Sequence, residues 1–128
     1  MQNYVQSGKT INVACDDPAT PASGDPVRIG SFCGVAETDE SAGGNTSGET
    51  SVATEGVFLL SVDATDSSGS MGADAAAAVE VGDKLYYGDS DSPVISKRDG
   101  GTFFGYALGA LDAGDTGSIP VMLAHQLP

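Results

Sequence analysis

Three Gly-Asp pairs limit what this chain can fold into. Gly24-Asp25 opens the short run Pro26-Val27-Arg28-Ile29, and Gly82-Asp83 opens Lys84-Leu85-Tyr86-Tyr87. Each run is followed by a segment built on Gly-apolar-Ala, Gly34-Val35-Ala36 in the first case and Gly105-Tyr106-Ala107 in the second. A third pair, Gly114-Asp115, leads into Ile119-Pro120-Val121-Met122-Leu123. Turn residues spaced this way cut the chain into short extended pieces. The two fuller copies differ in length: Gly24 and Gly34 stand 10 positions apart, Gly82 and Gly105 stand 23 apart, and the longer copy holds a further strand at Val94-Ile95-Ser96. The echo therefore predicts two hairpin-like halves of one domain, not a tandem repeat.

The fold class that follows is all-β: a small compact β-barrel or sandwich of about eight short strands, with at most one short helix. No amphipathic stretch is long enough for the crossover helix of a parallel sheet. Residues 1–8 read as an N-terminal arm and residues 9–128 as a single β-rich domain, with acidic loops at 37–50 and 63–72. Ala73 to Val79 holds four consecutive alanines and is read as one or two helical turns. Gly30-Ser31 joins two strands as a hairpin, and Pro120 places the last strand at an edge or beside a bulge, because proline removes a ladder donor. The expected core is Ile11, Val13, Val27, Ile29, Phe32, Val35, Val57, Leu59, Leu85, Ile95, Phe104, Tyr106, Val121 and Leu123. Period-two alternation puts Phe104 and Tyr106 on one face and Phe103 on the other. Aromatic side chains on such a face suit a partner contact, which makes Phe103 a candidate.

Charge narrows the function. Acids outnumber bases 18 to 5, for a formal charge of −13. Affinity for phosphate backbones comes from Lys and Arg, so nucleic acid and anionic lipid are not expected partners. No run approaches the roughly 20 apolar residues that span a bilayer, and no export signal is read at the N-terminus. Without export, Asn45-Thr46-Ser47 carries no weight as a glycosylation site. Cys15 and Cys33 lie in or beside apolar segments and read as small buried hydrophobes.

Catalytic machinery is not legible. The one histidine, His125, stands three residues from the C-terminus, and no nucleophile elbow, P-loop or dinucleotide fingerprint occurs. One histidine and two cysteines 18 positions apart do not make a zinc site. Asp63-Ala64-Thr65-Asp66-Ser67-Ser68-Gly69 and Asp89-Ser90-Asp91 come nearest to a calcium loop, yet lack its ligand spacing and distal glutamate. No catalytic residue, cofactor site or metal site is assigned.

A series of motifs in order gives the chain a likeness. Gln2-Asn3-Tyr4-Val5-Gln6-Ser7-Gly8, Ser23-Gly24-Asp25-Pro26-Val27 with Gly30-Ser31-Phe32-Cys33-Gly34-Val35-Ala36, Ala53-Thr54-Glu55-Gly56-Val57-Phe58-Leu59-Leu60, Val81-Gly82-Asp83-Lys84-Leu85-Tyr86-Tyr87, and Phe104-Gly105-Tyr106-Ala107-Leu108 ahead of Ala113-Gly114-Asp115 cover nearly the whole length. In this order the sequence resembles the capsid cement, or decoration, proteins of tailed bacteriophages. The resemblance implies a virion structural protein without enzymatic activity. Such a protein is made in the host cytoplasm, binds the outer surface of the head and braces contacts between major capsid subunits. It further implies self-association, as a homotrimer ahead of a homodimer. The arm carrying Tyr4 and Val5 is a candidate strap to a capsid subunit or a neighbouring copy. The alternative is a carbohydrate- or host-binding module displayed on the virion through its exposed loops.

Overall fold

A computed structural model describes residues 10–41, 47–89 and 91–123. Ten strands follow one another: β1 Thr10–Val13, β2 Pro26–Ile29, β3 Phe32–Ala36, β4 Thr50–Ala53, β5 Val57–Asp66, β6 Ala75–Ala76, β7 Lys84–Tyr87, β8 Ile95–Lys97, β9 Thr102–Ala107 and β10 Thr116–Leu123. They form two sheets. One is antiparallel and four-stranded, in the order β1-β4-β3-β2. In the other, β5, β10, β9, β7 and β8 run side by side, and a parallel β8–β5 ladder closes them into a five-stranded barrel, with β6 added on β5. The all-β expectation holds, and the barrel is the form taken.

The repeated phrase has a physical meaning in this frame. Ala22–Asp25, Glu80–Asp83 and Asp112–Asp115 are tight turns in which the fourth N–H donates to the first carbonyl at 3.0, 3.1 and 3.0 Å. The glycine stands third in each, at φ of +92°, +94° and +82°. That is the left-handed region, which such a turn demands at this position and glycine enters freely. Each turn then grips an alanine on another strand. The glycine N–H donates to the carbonyls of Ala36, Ala107 and Ala64 at 2.7, 2.7 and 2.9 Å, and the alanine N–H donates back to the aspartate carbonyl at 2.8, 2.9 and 2.8 Å. All three alanines are buried. A two-way clasp of this kind fixes strand register, so the phrase is a register lock used at three places.

The main core gathers the barrel's inward residues, among them Leu60, Val62, Leu85, Tyr87, Ile95, Phe104, Ile119, Val121 and Leu123, with Cys33 and Val35 of β3 packed against them. A smaller cluster of Val27, Ala36 and Val52 is flanked by half-buried Ile11, Val13 and Ile29. Phe32 is also only half-buried.

Several expectations are corrected. Val57 and Leu59 are not core: they are 54% and 71% exposed, while Leu60, Val62 and Ala64 point inward. The run Val57-Phe58-Leu59-Leu60 is apolar in both phases, so alternation cannot choose between them. Tyr106 lies with Phe103, not with Phe104. The β7–β9 register slips between Leu85↔Gly105 and Tyr86↔Phe103, leaving Phe104 as the extra residue of a bulge. One added residue inverts the alternation beyond it.

Ala73–Val79 is not helical. A 3₁₀ turn covers Ser70–Gly72, Ala75–Ala76 is a strand, and the Val79 N–H donates to the Leu111 carbonyl. Seven residues cannot offset the cost of helix nucleation when strands satisfy their backbone instead. Strand β5 continues to Asp66, so the loop expected from residue 63 begins after it. Nor is β10 an edge: it pairs with β5 from Thr116 to Met122 and with β9 from Val121. Pro120 carries its carbonyl on the β9 side, where it accepts from the Leu108 N–H at 2.8 Å. Its missing donor therefore falls at the end of the β9 ladder.

Candidate functional site

The outer wall of the barrel carries a contiguous apolar row. Cross-strand register sets Leu59 opposite Pro120 and Val57 opposite Met122, then Met122 opposite Tyr106 and Tyr106 opposite Lys84. These side chains alternate with buried Leu60, Val121 and Leu123, so they face away from the core. Met122 is 39% exposed, and Leu108 beside Pro120 is 38% exposed. Phe103 extends the row: its ring meets Tyr106 edge-on at 5.5 Å and Tyr86 at 5.8 Å, and the Lys84 ammonium sits 5.9 Å from its centre. The bulge at Phe104 produces this arrangement by turning Tyr106 outward.

Along β5 the face changes from apolar to polar: Val57 and Leu59, then Ser61, then Asp63, with Met122, Pro120, Ser118 and Thr116 opposite them. Exposed apolar side chains set side by side make this wall the candidate contact surface.

Elsewhere among the described residues the cations are tied to carboxylates. Arg28 makes a two-pronged bond to Asp89, Nε to Oδ1 at 2.8 Å and Nη2 to Oδ2 at 2.9 Å. Lys97 Nζ donates to Asp83 Oδ2 at 3.0 Å and to the Ala78 carbonyl at 2.9 Å. Arg98 Nη2 donates to Asp63 Oδ2 at 3.0 Å. Its Nε and Nη1 stand 3.1 Å from Asp74 and 3.5 Å from Asp91, close enough for ionic attraction but out of line for hydrogen bonds. Burial acts to lower the Arg98 pKa, and the surrounding carboxylates outweigh it and raise it. Asp89 and Asp91, the pair that suggested a calcium loop, are thus divided between two arginines. Among the described residues no group of three or more His, Cys, Asp and Glu could hold a metal ion.

An open hollow of about 560 Å³ lies between Arg28 and Arg98, with Tyr87, Asp89, Asp91 and Thr102 on its walls. The Tyr87 hydroxyl donates to the carboxylate of Asp17, and burial, then that carboxylate, push its pKa upward. Burial likewise pushes the Cys33 thiol up to about 12. Both cysteines are free. With each arginine already neutralised, the hollow offers an anionic ligand no vacant charge.

Asp83 makes its turn sensitive to acid. The Glu80 N–H donates to its carboxylate at 2.9 Å and Lys97 adds a second bond, holding its pKa below the ordinary 3.8. A carboxylate depressed on folding stabilises above its unfolded pKa, and the gain is lost as pH falls through the folded value. Asp83→Asn should therefore cost about 1 kcal/mol at neutral pH. It should also flatten the fall in stability below about pH 4. Urea midpoints measured across that range check both; a variant with the wild-type acid slope would remove Asp83 from the account.

Of the residues singled out from sequence, Phe103 lies on the apolar wall. Tyr4, Val5 and His125 lie outside the described residues, as does Asn45. Sequence reading missed Val57, Leu59 and Met122 as surface residues. The available signal was Pro120: a strand that places proline outward carries Met122 outward too, two positions on. Among known proteins, the model for phage cement proteins matches residues 5–123, nearly the whole chain. No curated protein and no solved structure matches.

Proposed function

We propose, from the premise that this chain belongs to the phage cement protein family, that it binds the outer surface of the assembled head and braces the contacts between major capsid subunits. Membership makes it a structural protein of the phage head. The observation that carries the finer reading is the charge distribution. The chain has a formal charge of −13, and Arg28, Lys97 and Arg98 are each engaged by carboxylates. What reaches solvent is therefore mostly negative, which packaged DNA inside the shell repels and a basic outer patch attracts. In the same reading the chain has no catalytic role, and copies associate with one another, as trimers ahead of dimers. Residues 1–8, with Tyr4 and Val5, serve as a strap. Phe103 belongs to a contact surface.

Purified protein titrated against expanded, undecorated heads tests this. Saturable binding at fixed positions on the shell, weakening as salt rises, is expected. Heads that take up none of the chain sink the proposal, and unchanged uptake of a chain lacking residues 1–8 removes the strap.

A further inference from the structure

We infer that copies of this chain join one another through the apolar row on the barrel wall, with Val57, Leu59, Pro120 and Met122 at its centre. This rests on the self-association proposed above and assigns it a face. Leu59 is 71% exposed, Val57 54% and Met122 39%. They lie side by side because the β5–β10 register pairs Leu59 with Pro120 and Val57 with Met122. Nothing in the barrel requires this: serines occupy the next outward pair, Ser61 and Ser118, on the same two strands.

Charge selects the occupant. Two copies at −13 each repel, so they can meet closely only where carboxylates are absent. The row itself carries no carboxylate: Glu55, half-buried, stands two positions before Val57, and the next charge along β5 is Asp63, beyond the serine pair and bonded to Arg98. At the row's far end stands Lys84, which bears on the Phe103 ring. A capsid surface that draws in an acidic chain would use the carboxylates of the other faces, for which an uncharged aliphatic row has no complementary role. Contacts between identical subunits are more apolar than the rest of a protein surface, as this wall is.

Sedimentation equilibrium on the full chain tests the inference. The wild type should self-associate, and Leu59→Ser with Met122→Ser should weaken association at least about 100-fold, with near-UV circular dichroism unchanged. Leu59→Ser alone, at the most exposed of these positions, should weaken it about tenfold and repeats the test should the double variant not fold. A wild type that stays monomeric, or variants that associate as it does, overturn the inference. Head titration separates the two proposals. A chain that associates but ignores heads sinks only the cement reading, whereas one that decorates heads as isolated monomers sinks only the shared face.

Discussion

Gly105→Ala should lower the unfolding free energy by about 3 kcal/mol, and Gly34→Ala by a comparable amount. Both glycines open the Gly-apolar-Ala phrase, and at both a second strand crosses so closely that a methyl group has no room. A Cβ on Gly34 would stand 2.5 Å from the carbonyl oxygen of Ala53 and 2.5 Å from Cγ1 of Val52. On Gly105 it would run into the Met122 carbonyl, with the Cα of Leu123 only 3.2 Å away. These neighbours are mostly backbone, so relief means moving β4 or β10, and β10 closes the barrel. The glycines of the Gly-Asp turns give the control. Gly24 and Gly82 have positive φ but open space around the site of a Cβ, so alanine there should cost only about 1 kcal/mol of backbone strain. Urea unfolding of the four variants decides it. Equal losses at all four would mean that strand approach does not limit stability.

That contrast shows which parts of the fold were legible. The Gly-Asp turns could be read because a turn is encoded by residues adjacent in sequence, and the order of the phrases sufficed for the family resemblance. Barrel closure could not, since the parallel Val62↔Ile95 pairing joins strands more than thirty positions apart through hydrogen bonds that leave no local pattern. The outward phase of Val57 and Leu59 was hidden by an apolar run with no polar residue to mark a face. Tyr106 was misplaced because a bulge is set by the pairing of two strands and not by the sequence of one. The outer wall became visible only when register set these residues beside Met122, although Phe103 had already pointed to that side of the barrel. The Arg98 cluster was out of reach for the same reason as closure: Asp63, Asp74 and Asp91 come from three separate segments.

Arg98→Met should cost about 3 kcal/mol, several times the loss from Arg28→Met. Arg98 follows β8 and is 19% exposed at its side chain, with Asp63 at 16% and Asp91 at 29%. Removing the guanidinium leaves Asp63 and Asp91 partly desolvated with no counter-charge, while Asp74, 60% exposed, can turn to water; two stranded carboxylates cost more than the loss of one exposed pair. Arg28 differs in its surroundings. Its partner Asp89 is 46% exposed, so water can replace the lost cation, and the penalty should be far smaller. Added salt should shrink the Arg28 effect and largely spare the Arg98 effect, because screening acts on exposed charges. Arg98→Lys should recover only part of the loss, since one ammonium cannot reach along a planar fork to carboxylates on three segments. Asp63→Asn placed in the Arg98→Met background should restore some stability, and the double-mutant cycle then measures the coupling. Amide exchange should rise first at Gly69 and Ala73, whose turn is anchored to the barrel through Asp74. If Arg98→Met cost no more than Arg28→Met, the cluster would be surface decoration, and the 3₁₀ turn would owe its position to its backbone hydrogen bonds.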